Sequence, residues 1–150
     1  MSGKAIRETL AALGVIASMV FVGWEIRQNT AATRSATIQA ITTESRESLS
    51  LLASDSTLAW LRLRGNQDPS VFSELESYQF MVYYRSYWLH FQNIFFQRRL
   101  DVLEAGIWDT YAKVLCTDYG TLPGVRATWP DHSSVLDPTF VSFVESCPIT

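Results

Sequence analysis

Sixteen consecutive residues, Thr9 to Trp24, carry no charge, and the run stops abruptly at Glu25-Ile26-Arg27-Gln28-Asn29-Thr30. The pattern reads as a membrane anchor joined directly to a polar helix. As an α-helix, the run is about 24 Å long at roughly 1.5 Å per residue. A hydrocarbon core is roughly 30 Å thick and takes about 20 residues, with a lower bound near 17. A spanning helix therefore requires Arg7, Glu8, Glu25 and Arg27 to snorkel or to lie at the interfaces, where Trp24 suits an anchor. The expectation is an anchor helix with its flanks over residues 1–29 and a helical domain over residues 30–150. Two alternatives stay open. One is a fully soluble bundle with Thr9–Trp24 as its core helix. The other is a cleaved signal peptide, although no small-x-small site follows promptly.

The residues after the anchor suffice for one domain with a modest core. From Gln28 to Thr150 there are nine Lys/Arg against thirteen Asp/Glu, and from Asp101 onward only Lys113 and Arg126 face seven acidic residues. An acidic domain without a basic stripe argues against nucleic acid, whose binding needs phosphate neutralisation. Cys116 and Cys147 lack metal-ligand spacing and are too few for a disulfide framework. Two ordinary, partly buried thiols are the simpler reading, and one bridge in an oxidising compartment is the other.

The rest of the chain reads as helices. No proline separates Trp24 from Ala53, so the anchor runs on into a helix over residues 30–53. Ser54-Asp55 caps a short helix to about Leu63, and Gly65-Asn66-Gln67-Asp68-Pro69 reads as a turn. Ser73-Glu74-Leu75-Glu76 is a capping box opening a long helix to about Arg99, whose last-turn arginines complement the helix dipole. Asp101 to Glu104 opens the next helix, to about Thr117. Pro123 starts a short turn stopped by Pro130, and Asp137-Pro138 starts a terminal helix. With no strand alternation, the fold class is all-α. The expected architecture is an N-terminal transmembrane helix continuing into a small helical bundle with a long aromatic-rich central helix.

A resemblance rests on specific residues. The apolar helix ending in Val22-Gly23-Trp24-Glu25-Ile26-Arg27-Gln28-Asn29-Thr30, then Ala32, Arg34, Ala36-Thr37 and Gln39, resembles the start of a widespread group of small bacterial single-pass membrane proteins. The likeness continues through the aromatic helix to Pro123-Gly124-Val125-Arg126, Trp129, Pro138 and Phe140. It implies an N-terminal membrane helix and a helical domain, and it implies no activity. Lys and Arg near the two ends of the anchor are close to balanced. Similar chains are more basic after the anchor, which places the protein in the bacterial inner membrane with its domain in the cytoplasm. A periplasmic domain is the alternative. Reduced cysteines follow from a cytoplasmic domain.

Nine of the nineteen aromatic residues lie between Tyr78 and Phe96. Tyr84, Trp88, Phe91 and Phe95 form one helical stripe, while Tyr83 and Tyr87 lie about 100° away with Phe80 continuing their side. This is more than one apolar face holds. The simpler reading is a central helix buried on two sides. The sharper one assigns Tyr83, Tyr84, Tyr87, Trp88, Phe91 and Phe95 to a partner interface. His90 reads as a hydrogen-bonded histidine rather than a heme or pigment ligand, and His132 falls in a loop. Arg126 either stacks on Trp129 or, on the favoured reading, pairs with a carboxylate as its turn folds back on the bundle. Ala11, Gly14 and Ser18 give the apolar helix a small-residue face for helix–helix approach. No catalytic, metal or cofactor motif is present. The expected function is a non-enzymatic interaction protein, a scaffold or accessory subunit of a membrane complex. Its partners would be membrane lipid and either another protein or further copies of itself. The alternative is a membrane-tethered enzyme or small-ligand binder with its pocket among the aromatics.

Overall fold

The computed structural model describes residues 3–149, without the side chains of Ala5, Ile6, Glu8, Thr9 and Ala11. Six α-helices make up most of the described residues, among which no strand occurs. The chain divides into two compact units, Met1–Gln39 and Ala40–Thr150. The division falls within α1 (Gly3–Ser54).

In the first unit α1 stands as a single helix. Its large apolar side chains from Leu10 to Ile26, Met19, Val20 and Phe21 among them, are each half or more exposed. Among the described residues no helix is long and apolar enough to cross a membrane. That corrects the single-pass inner-membrane placement, and the cytoplasmic assignment of the domain falls with it. The physical reason lies in the run itself: at about 24 Å it is shorter than the roughly 30 Å it would have to cross.

The second unit is built from α2 (Ser56–Gln67), a single 3₁₀ turn at Pro69–Val71, α3 (Glu74–Arg99), α4 (Ala105–Thr121), α5 (Pro123–Ser133) and α6 (Pro138–Glu145). Local chemistry sets the starts of three helices. Asp55 accepts from the Thr57 and Leu58 N–H groups, Asp137 from those of Thr139 and Phe140, and Ser73 with Glu76 forms the complete capping box. Asp101 does not cap α4. It has φ 55°, the left-handed position that Asp tolerates, and it closes α3 while the Val102 and Leu103 N–H groups return to the Gln97 carbonyl.

Three expected boundaries shift for tertiary reasons. α2 continues through Gly65 to Gln67, and a side chain at Gly65 would meet the Phe80 ring. α4 continues through Gly120, where a Cβ would lie 2.3 Å from the Pro148 carbonyl oxygen. α5 runs past Pro130 to Ser133.

The core forms around α3. Phe80, Tyr84, Trp88, Phe91 and Ile94 are all buried, at spacings of four, four, three and three. Phe80 thus belongs to the Tyr84–Trp88 stripe and not to the Tyr83–Tyr87 side. Trp88 meets the Trp129 ring at 4.6 Å between centroids, and its indole N–H donates to Thr128, which donates to the Val125 carbonyl. Cys116 of α4 is bonded to Cys147, with the Cα atoms 5.1 Å apart, within the range a disulfide requires. The reading of two free thiols is corrected. Gly120, one turn beyond Cys116, leaves the room through which the chain end reaches that bridge.

Candidate functional site

One face of α3 turns away from the core and, with the C-terminal part of α1 and α2, lines a groove of about 680 Å³. All of its lining residues belong to the Ala40–Thr150 unit. Leu51, Leu58, Leu61 and Val82 supply its apolar surface, and the rings of Tyr78, Tyr83 and Tyr87 stand along it. Its charged lining is acidic: Glu44, Glu47 and Asp55, with His90 beside Glu44.

The tyrosines are held by a polar network behind the groove. The Tyr87 hydroxyl donates to Asp118 at 3.0 Å, and the Tyr84 hydroxyl donates to Asn66. Arg62 sits 5.9 Å from the Tyr83 ring centroid and hydrogen-bonds Tyr84. Burial pushes the Tyr83, Tyr84 and Tyr87 phenols above their ordinary range. Burial also raises the Asp118 carboxyl, against the Tyr87 hydrogen bond and the Arg62 charge that lower it. These rings are fixed, neutral phenols at neutral pH, which suits recognition rather than proton transfer.

At the Glu44 end, the His90 Nε2 lies 3.2 Å from the Ser45 hydroxyl, which lies 3.3 Å from the Tyr111 hydroxyl. Glu44 approaches Nδ1 at 3.0 Å, but the contact is not a directed hydrogen bond. Acid, imidazole and hydroxyl follow the order of a hydrolytic triad. Two requirements are missing. The acid does not orient the ring, and Ser45 lies mid-helix, where backbone N–H groups are committed to the α1 ladder and cannot form an oxyanion cradle.

The sequence-derived interface residues separate. Tyr84, Trp88 and Phe91 are core residues and cannot meet a partner. Phe95 is half-buried against Trp108 and Phe140. Only Tyr83 and Tyr87 reach the groove, together with Tyr78, which the aromatic count included but the stripe did not. Among the described residues Arg126 neither stacks on Trp129 nor pairs with a carboxylate. It donates to the Tyr119 and Gly120 carbonyls at the end of α4. On α1, Gly14 and Ser18 share a shallow hollow with Val22, and the Ser18 hydroxyl donates back to the Gly14 carbonyl. The Ala11 side chain lies outside the described residues. Glu44, Glu47 and Leu51 were missed as site residues. Their i, i+3, i+7 spacing on α1 was the available signal.

No protein-family model matches this chain, and no curated protein or solved structure matches it.

Proposed function

We propose that this chain is a non-enzymatic association protein, a scaffold or accessory subunit, that assembles through the apolar segment of α1. The observation that carries this reading is the exposure of the large apolar side chains between Leu10 and Ile26. Soluble monomers rarely show a contiguous apolar patch beyond a few hundred Å², and larger ones mark interaction surfaces. Covering such a surface gains about 25 cal/mol per Å² of apolar area. Gly14 supports close approach, since a Cβ built there meets nothing within 4 Å. A second copy of the helix, or a helix of another subunit, fits this surface.

Sedimentation velocity on the full chain, alone and with Val15→Glu plus Met19→Glu, tests the reading. The wild type should sediment as a defined oligomer or co-purify with a stoichiometric subunit. The double variant should be monomeric with unchanged thermal unfolding. A wild-type monomer at tens of micromolar, or one that disperses only as single chains in detergent, overturns it.

A further inference from the structure

We propose that the groove between α1, α2 and α3 binds a small organic cation with an apolar body. The inference is independent of assembly through α1, because every lining residue lies in the Ala40–Thr150 unit. Its volume, about 680 Å³, falls in the range of small-molecule sites, roughly 300–1,000 Å³, and such sites are mostly apolar with a few placed polar groups. Leu51, Leu58, Leu61 and Val82 supply the apolar part.

The polar part has one sign. Glu44, Glu47 and Asp55 line the groove and no Lys or Arg does. Asp55 is committed to capping α2, which leaves Glu44 and Glu47 as the carboxylates that face a ligand. Arg62 lies by Tyr83 without lining the groove, and Asp118 is the carboxylate whose charge acts on it. The remaining titratable group at the surface of the groove, His90, is in contact with Glu44. Phenol faces attract cations through the ring quadrupole, and Tyr78, Tyr83 and Tyr87 line the same groove as these carboxylates. Apolar walls, neutral phenols and acidic groups together select an amine or quaternary ammonium over a neutral or anionic molecule of the same shape.

Three probes share one body and differ in charge: 3-phenylpropylammonium, 3-phenylpropanol and 3-phenylpropionate. Calorimetric titration into the full chain with its disulfide intact should show the ammonium binding about tenfold more tightly than the alcohol, and the carboxylate most weakly. Glu44→Gln with Glu47→Gln should bring the ammonium to the level of the alcohol and leave the alcohol unchanged. Val82→Trp fills the groove from a half-exposed position, so it should abolish binding of both with unchanged thermal unfolding. Equal or tighter binding of the alcohol or carboxylate overturns the proposal. So does no ammonium binding up to about 5 mM, or binding indifferent to these variants.

Discussion

His132 is buried in the last turn of α5, where Pro130-Asp131 in the sequence suggests a loop. Its ring hydrogen-bonds the Met81 backbone, and Nε2 is buried without a partner. Protonation would put a charge and an unpaired donor into the core. Burial accordingly holds the imidazole below its ordinary value, against the raising effect of Asp131. The sign of the linkage follows. The unfolded chain binds a proton at a pH where the folded chain does not, so stability is intact above about pH 6.5 and falls as pH drops below it. The fall levels off once the folded-state value is passed. Thermal unfolding of the wild type should weaken from pH 7.5 to 5.5, and His132→Gln should show a flatter profile over the same window. Equal slopes would remove His132 as the cause. Asp68, Glu76 and Asp137 act in a separate, more acidic window. Hydrogen bonds from Ser70, Ser73 and Thr139 hold these carboxyls below their ordinary values, so what they contribute is lost only as pH falls through those lower values. The cap residues are legible in the sequence because a cap needs only its own next three residues. The burial of His132 is not legible, because it depends on α5 continuing through a proline.

At the scale of elements, α2 and α5 meet at two glycines. A Cβ on Gly124 would lie 1.8 Å from the Gly65 carbonyl oxygen, and a Cβ on Gly65 would lie 2.3 Å from the Phe80 ring. Backbone stands against backbone here, and backbone cannot move aside as a flexible side chain can. Gly124→Ala should cost about 1–3 kcal/mol of unfolding free energy through overpacking, despite the better helix propensity of alanine. Gly106→Ala, in a helix with open space around it, is the control and should be neutral or slightly stabilising. Chemical denaturation of both variants measures the difference. These contacts explain why Gly65, which reads as part of a turn in the sequence, sits inside a helix in the structure. Glycine signals a turn when nothing approaches it, and a close crossing when another backbone does. The aromatic helix was legible in its bounds and its excess of rings. Its division into core and groove was not, since Tyr83 and Tyr84 differ only in which neighbours α2 and α4 bring to them.

Across the whole molecule, the Cys116–Cys147 bridge closes a 31-residue separation that contains all of α5 and α6. A loop of that size confers about 3–4 kcal/mol by the chain-entropy account. Unreduced, denatured protein should show no free thiol. Cys116→Ser with Cys147→Ser should lose stability on that scale and become insensitive to reductant. Two free thiols would overturn the pairing. The sequence offers the pair but not the geometry, because Gly120 and Pro148 must both be placed before the chain end reaches α4.

The division of the chain makes the final prediction. The main buried cluster runs from Leu61 to Cys147, the bridge lies within it, and all the helix caps described above follow Ala40. The apolar surface proposed for assembly lies entirely before Gln39. Stability and association are thus assigned to different parts of one polypeptide, and cutting between them should separate the two properties. A fragment beginning at Ala40 should keep its disulfide, unfold cooperatively within about 3 °C of the full chain, and sediment as a monomer. A fragment that unfolds would show that the first unit supplies part of the core. A fragment that still assembles would move the interface to the exposed faces of α2 and α3, where Trp60, Leu63, Leu75 and Leu89 remain uncovered.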